Sequence, residues 1–216
     1  MFLLETINTQ GGIYLLRLRD REIIKALNLF RCMSRDQIAK MFFNHVKNPI
    51  TSANFVLKRL RREKYIDANT NKQPYIYFPD PTLIKKNSQK VNHYLAIVDF
   101  YLSVCQHEKP IIFNVEKRYG SGFMQPDIFM IWRKKAYFVE IQNSRYALNL
   151  IEEKIKRYTN YLQSGSWRIQ GEPYEISKSP YLWIVSKAPY CICSDNIQII
   201  QTSNVEMFFQ NKQGCV

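Results

Sequence analysis

The chain has 216 residues, enough for one large domain or two small ones. Hydrophobic residues make up 46% and charged residues 23%, which excludes a disordered chain, and the absence of an apolar run of about 18 residues excludes a predicted transmembrane helix. The formal charge of +13 favours a polyanionic partner, with nucleic acid ahead of an anionic membrane surface.

The start of the chain and the cysteines predict a cytoplasmic protein. Residues 1–4 are apolar, but Glu5 interrupts them too early for a signal peptide. The five cysteines are scattered, and none has the spacing of a zinc site. We therefore expect reduced thiols rather than disulfides or bound zinc.

Two amphipathic helices are predicted near the beginning. Residues 19–30 carry apolar side chains at helical spacing. Ser34 and Gln37 then have the spacing of a capping box, in which each side chain accepts a hydrogen bond from the other residue's backbone N–H. A second helix is expected to begin there.

A third helix follows, with Thr51 or Ser52 as its cap, and it is strongly basic. The apolar positions expected to face inward are Phe55, Val56, Leu57 and Leu60. The cationic positions, which are the candidate DNA contacts, are Lys58, Arg59, Arg61, Arg62 and Lys64. Residues 1–89 hold 16 basic and 7 acidic residues, so this part carries +9 of the charge.

Residues 75–78 predict a short strand closed by Pro79 and Pro81. Helix, helix, basic helix and β-ribbon is the order of a winged helix-turn-helix, here predicted over residues 1–80. In that architecture the third helix enters the major groove of duplex DNA. Two alternatives stay open: the basic face is merely solvated, or the domain contacts another protein.

A polar, proline-bounded linker is predicted at 81–89, and a second domain at 90–216. Its predicted elements are a helix at 90–106, strands at 111–116, 126–132 and 136–142, a helix at 148–162, a strand at 181–186, and edge elements at 197–202 and 205–209. The whole chain is therefore predicted to be α+β, with a mixed sheet at the centre of the second domain.

Three acids are placed to meet at one edge of this sheet. Asp127 opens one strand and Glu140 lies late in the next, and a tight turn at 133–135 makes the two strands an antiparallel hairpin. Glu140 and Gln142 share a face because side chains alternate along a strand. Glu116 ends the strand before. The alternative, that these carboxylates are ordinary solvated residues at the edge of the sheet with no function, stays open.

Other candidate residues have a structural interpretation. His93 lies at the start of a predicted helix, where a histidine is more often a cap or a packing residue than a catalytic group. Trp132 and Trp183 lie within predicted strands, and we expect them in the core rather than as platforms for stacked bases.

Pro126-Asp127 followed by Glu140-Ile141-Gln142 resembles the PD-(D/E)XK nuclease core, which has the same order of helix, three strands, helix and strand. Over about residues 20–187 the chain resembles the replication-relaxation family, in which a winged helix precedes such a domain. The segments that carry this resemblance are LKRLRREKYID, His93-Tyr94-Leu95-Ala96, PDIF, VEIQ and EKIKRY.

The resemblance implies a bound Mg²⁺, with Mn²⁺ as a substitute, and no organic cofactor. Asp127 and Glu140 would be its ligands, with Glu116 as a third acid, because Mg²⁺ takes oxygen ligands and activates water. The family motif has lysine where this chain has Gln142, which brings no positive charge. Lys154, on the following helix, is the candidate replacement.

The leading hypothesis is a DNA-binding protein of plasmid or mobile-element replication control, with a nuclease-like and degenerate second domain. One alternative is an active Mg²⁺-dependent DNA endonuclease or a transposase-like nicking subunit. Another is a protein-interaction adaptor with an inert nuclease fold. The expected partner is double-stranded DNA and not a membrane, and a homodimer or a replication or transposition protein as a further partner is left open.

Overall fold

The computed structural model describes residues 16–144, 147–192 and 194–210, and it divides into two compact units, one ending at Ser88 and one beginning at Gln89. Within these residues Cys32, Cys105 and Cys191 are free thiols, whereas Cys193 and Cys215 lie outside the described part, as do residues 1–4. None of the described helices has both the length and the apolar character needed to span a bilayer.

The first unit contains three helices and a small sheet. Its elements are α1 (Leu18–Phe30), β1 (Met33–Ser34), α2 (Arg35–Phe42), α3 (Pro49–Arg62), β2 (Ile66–Asn69) and β3 (Ile76–Pro79). Strand β3 is central and pairs antiparallel with both β1 and β2. The two predicted helices before α3 are confirmed, and β2 was not predicted.

The predicted capping box at the start of α2 is confirmed. The Gln37 backbone N–H donates to the Ser34 hydroxyl at 3.2 Å, and the Ser34 backbone N–H donates to the Gln37 side chain at 3.0 Å. The predicted caps of α3 are wrong, because this helix already begins at Pro49 after Asn48. Proline suits the first turn of a helix, where its missing N–H would have no partner within the helix.

The inward face of α3 also differs from the prediction. Leu57 and Leu60 are buried together with Ala53, a set spaced by four and three residues. Phe55 lies between them on the other side of the helix and is 73% exposed. Because 3.6 residues make one turn, a residue two positions from Ala53 and Leu57 points away from the core.

The second unit is built on a five-stranded mixed sheet. Its elements are α4 (Lys90–His107), β4 (Ile112–Val115), β5 (Ile128–Trp132), β6 (Lys135–Gln142), α5 (Leu148–Gln163), α6 (Ser166–Gly171), a 3₁₀ turn (Glu172–Tyr174), β7 (Tyr181–Ser186), β8 (Ile199–Thr202) and α7 (Glu206–Gln210). The strand order is β4-β5-β6-β7-β8, antiparallel as far as β6 and parallel from β6 to β8. The predicted α+β class and mixed sheet are confirmed.

Helices cover both faces of this sheet. Phe138 of β6 belongs to a buried cluster that includes Ile151 and Tyr158 of α5. On the opposite face, Trp183 packs edge-on against Phe100 of α4, with 5.2 Å between the ring centroids. Trp132 and Trp183 are both fully buried, which confirms that they belong to the core.

The edge element expected at 205–209 is wrong, because this segment forms the short helix α7. The side chain of Asn204 accepts a hydrogen bond from the Met207 backbone N–H at 2.9 Å, as a helix cap does. Phe208 then packs on Trp183, with 4.6 Å between the ring centroids. A short apolar run fits either a strand or a buried helix, and here the asparagine cap accompanies the helix.

Candidate acidic site and candidate nucleic-acid interface

The backbone brings the three predicted acids into one row. Ile128 of β5 pairs with Val139 of β6, so Asp127, one residue before β5, lies opposite Glu140. The Glu116 backbone N–H donates to the Asp127 carbonyl oxygen at 3.0 Å, which continues the pairing of β4 with β5. The row therefore runs across three adjacent strands at the same end of the sheet.

Asp127 forms an ion pair with a histidine that the sequence did not link to it. Its Oδ1 atom lies 3.2 Å from His93 Nε2, and its Oδ2 atom accepts from the Ile141 backbone N–H at 2.8 Å. Burial alone would raise the pKa of Asp127, but the hydrogen bond and charge of His93, the charge of Lys154 and the Ile141 N–H outweigh it and lower the pKa. Asp127 is therefore an ionised carboxylate.

The same contacts act on the imidazole. Burial alone would lower the pKa of His93, but its hydrogen bond to Asp127 and the negative charges of Asp127, Glu116 and Glu140 outweigh that effect and raise the pKa. The pair therefore favours a protonated His93 beside a charged Asp127. His93 lies in the first turn of α4, so the interaction ties the start of that helix to the start of β5.

Glu140 is the most enclosed of the three acids, with 1% of the residue exposed. Its Oε2 atom lies 2.5 Å from Lys154 Nζ, and its Oε1 atom accepts a hydrogen bond from the Tyr158 hydroxyl. Burial and the nearby charge of Asp127 raise the pKa of Glu140 to about 8, and Lys154 and Tyr158 oppose the shift only in part. Burial, followed by the charge of Glu140, also raises the pKa of Tyr158.

The other two predicted site residues are engaged separately. Glu116 Oε2 accepts from the Tyr94 hydroxyl at 2.6 Å. Gln142 is buried, and its Oε1 atom accepts from the Tyr190 hydroxyl, while its Nε2 atom has no hydrogen-bond partner in the described structure. The structure thus brings Lys154 to Glu140, and it engages Gln142 with Tyr190.

The side chains of this row contact the protein's own donors. Among residues 16–144, 147–192 and 194–210, no group of three or more His, Cys, Asp or Glu side chains is arranged to hold a metal ion. Asp127 and Glu140 have both oxygens occupied by protein donors. The sequence did not link His93 to Asp127 or Tyr158 to Glu140. Tyr158 lies one helical turn after Lys154 and so shares its face, which is the one signal that could have indicated it.

A groove in the first unit carries most of the predicted DNA contacts. It encloses about 640 Å³. The residues that line this basic groove are Arg35, Asn54, Lys58, Arg61, Arg62, Gln73, Tyr75 and Tyr77. They come from α3, from the start of α2 and from the hairpin of β2 and β3, so the predicted contacts are joined by Arg35 and two tyrosines. Lys64 is exposed but does not line the groove.

Arg59, although predicted as a DNA contact, forms ion pairs with two acidic residues of the first unit. Its Nη2 atom lies 2.6 Å from Asp20 Oδ2, and its Nη1 atom lies 3.2 Å from Glu63 Oε2. The side chain of Asp20 on α1 is 0% exposed, and its Oδ2 atom also accepts from the Arg17 backbone N–H. Arg59 thus neutralises a buried carboxylate and ties α3 to α1.

Comparison with known proteins matches residues 79–172 to the family described as Replication-relaxation. This match confirms, for that segment, the resemblance predicted from the sequence, and the family description associates the segment with replication or relaxation. No curated protein and no solved structure matches the chain.

Proposed function

From the match of residues 79–172 to the replication-relaxation family, we propose that this protein binds duplex DNA in the replication control of a plasmid or another mobile element. The first unit acts as a winged helix, with α3 in the major groove and the hairpin of β2 and β3 as its wing. The second unit is a PD-(D/E)XK-like fold with little or no catalytic turnover. The observation that carries the proposal is the basic groove.

The chemistry of this groove suits a nucleic-acid backbone. Its lining includes four cationic side chains and no acidic one. Lys58 and Arg61 are both exposed, and neither forms an ion pair with any residue that the structure describes. Exposed cations that are not held in internal ion pairs contact phosphates at low cost, and each neutralised phosphate releases counterions from the DNA.

We expect the double variant Lys58→Ala/Arg61→Ala to bind duplex DNA more weakly and with a smaller salt dependence. Each phosphate contact contributes about 0.9 to the slope of log affinity against log salt, so losing two contacts reduces the slope by roughly 2. Fluorescence anisotropy with a labelled duplex, over a series of salt concentrations, measures both quantities.

The matched control is Lys25→Ala on α1, whose ammonium group is exposed and pairs with Glu22 at 2.8 Å. This variant keeps the affinity and the slope of the native chain. Unchanged affinity and slope in the double variant would contradict the role given to α3.

Cleavage of DNA is the second candidate function, favoured by the row of Glu116, Asp127 and Glu140 with Lys154 beside it. Carboxylates are suitable ligands for Mg²⁺. The arrangement nevertheless does not fit a preformed metal site, because Lys154, Tyr158, His93 and a backbone N–H already occupy the oxygens of Asp127 and Glu140.

We therefore expect little or no cleavage of supercoiled plasmid in Mg²⁺ or Mn²⁺. In the hydrolysis of a phosphodiester, a cationic group stabilises the negative charge that develops on the phosphate oxygens in the transition state. Losing one well-placed group of this kind lowers the rate by a factor of roughly 10²–10³. Lys154 is committed to Glu140, and Gln142 supplies no charge.

The assay compares the native chain with Asp127→Ala and Gln142→Lys. If the native chain cleaves the plasmid efficiently and Asp127→Ala abolishes the cleavage, the prediction of an inactive site is wrong. Cleavage that appears only in Gln142→Lys would show that the acids still bind metal and that the site lacks only its cation.

A further inference from the structure

We propose that the amino-terminal half of α3 reads A·T base pairs, with the Phe55 ring against a thymine methyl group and the Asn54 amide on an adenine. This inference rests on the proposed function, because it needs α3 to lie in the major groove. It assigns sequence selectivity to two residues that the charge pattern of the helix does not single out.

The placement of Phe55 is the first observation. Its ring is 73% exposed, and Thr51 and Lys58, which lie about one turn before and after it, are exposed as well. A single exposed apolar residue is common on protein surfaces and needs no partner by itself. Here, however, Lys58 follows the ring by about one turn of α3 and Arg62 by about two, and both of these cations line the basic groove.

Asn54 is the second observation. It is exposed and lines the basic groove together with Lys58 and Arg61, which follow it by about one and two turns. The side-chain amide of an asparagine donates a hydrogen bond to N7 of adenine and accepts one from the N6 amino group of the same base. An apolar side chain contacts the methyl group of thymine. Asn54 therefore suits adenine and Phe55 suits thymine, which are the two bases of an A·T pair.

The order of residues along α3 fits the way a recognition helix docks. The amino-terminal residues of such a helix contact base edges in the major groove. Asn54 and Phe55 lie in the first half of α3, whereas Arg61 and Arg62 lie at its end. The first half thus reads bases while the second half contacts phosphates, which position the protein without carrying sequence information.

The charge around the ring decides which occupant we infer. The residues up to position 89 carry a net charge of +9, and four cations line the groove, three of them on the helix that carries Phe55. A surface with this charge attracts the phosphate backbone of DNA and repels a second copy of itself, so the exposed ring on this helix fits DNA better than another copy of the chain.

The test uses the full chain and a duplex selected by it from a random pool. Each thymine of that duplex is replaced in turn by deoxyuridine, which lacks only the 5-methyl group. We expect one such replacement to weaken binding by the native chain about fourfold, the effect of roughly one buried methyl group. The Phe55→Ala variant loses this sensitivity. The Asn54→Ala variant loses roughly tenfold of the preference for adenine at one position.

Leu29→Ala on α1 is the matched control, because Leu29 is also an exposed apolar residue on a helix of the first unit. It keeps the sensitivity to deoxyuridine. If Phe55→Ala still binds DNA and still responds to deoxyuridine, the inference is overturned while DNA binding stands. If sedimentation shows that Phe55→Ala changes the oligomeric state and not the base preference, the ring contacts a second copy and the inference is also overturned. If the native chain binds no duplex at all, the proposed function itself fails.

Discussion

Replacing Arg59 with alanine is expected to lower the free energy of unfolding by about 3 kcal/mol, whereas Arg61→Ala changes it by less than about 0.5 kcal/mol. The two arginines are two residues apart in the same basic run, but only Arg59 neutralises the fully buried carboxylate of Asp20. Removing one partner of a buried ion pair leaves an uncompensated charge inside the protein. Arg59 keeps 33% of its side-chain exposure, which places the loss near the lower end of the usual range.

Urea unfolding of the native chain and the two variants measures this difference. The double variant Asp20→Asn/Arg59→Ala tests the cause, since it removes the buried charge together with its partner and should be more stable than Arg59→Ala alone. A double variant as unstable as Arg59→Ala would show that the loss comes from packing of the arginine rather than from Asp20.

The role of Arg59 could not be predicted from the sequence, and the reason is general. The charge pattern of residues 58–64 shows a basic helix, but it contains no information about an acid 39 residues earlier in the chain. Asp20 itself looks like an ordinary polar residue near the start of an amphipathic helix. A pairing across two helices depends on how they pack, which local spacing does not reveal.

Elements with strong local signals were predicted well. The capping box of α2 and the helix predicted at 148–162, which the structure places at Leu148–Gln163, depend on residues within one or two turns. Strand β2 was missed because Asp67 and Asn69 favour turns, and the segment becomes a strand only by pairing with β3. The exposed Phe55 was misplaced because an apolar residue was expected to face the core, whereas the helical phase set by Ala53 and Leu57 turns it outward.

For the candidate acidic site, the sequence predicted which backbone positions lie opposite one another in the sheet. Trp132 pairs with Lys135 across a turn in which Arg133 and Lys134 both have positive φ, and this register places Asp127 opposite Glu140. The partners of the acids were harder to predict from the sequence, because His93 precedes the three strands along the chain and Tyr158 follows them, each on a helix. Lys154 was proposed from position alone, and the structure brings its ammonium group to Glu140.

The stability of the protein is expected to fall as pH rises from about 5 to 8, and Glu140 is the main cause. Its pKa in the folded state is about 8, above the ordinary value of 4.5, so the folded protein holds a proton there that the unfolded chain releases. A group of this kind stabilises the fold fully below its unfolded pKa and loses that contribution as pH rises toward its folded pKa. One such proton changes the free energy of unfolding by up to about 1.4 kcal/mol per pH unit.

His93 adds to the same trend, whereas Asp127 does not. The raised pKa of His93 means that its stabilisation is also lost as pH rises through the folded value. The lowered pKa of Asp127 has the opposite sign, because its stabilisation is present above the ordinary value of 3.8 and is lost on acidification. Between pH 5 and 8 the two raised groups therefore determine the slope.

The variant Glu140→Gln isolates the glutamate. At pH 5 the native side chain is protonated, so glutamine, a neutral side chain of nearly the same shape, is expected to leave the stability close to that of the native chain. Near pH 8 the variant is expected to be more stable than the native chain, since it has no buried carboxyl group at position 140 to ionise, and the contribution of His93 remains. Urea unfolding at pH 5, 6, 7 and 8 measures the two profiles, and the control is Glu153→Gln, an exposed glutamate on α5 beside Lys154. Parallel profiles for the native chain and Glu140→Gln would mean that Lys154 keeps Glu140 ionised in the folded protein, and the buried pair would then be a permanent salt bridge rather than a site that holds a proton at neutral pH.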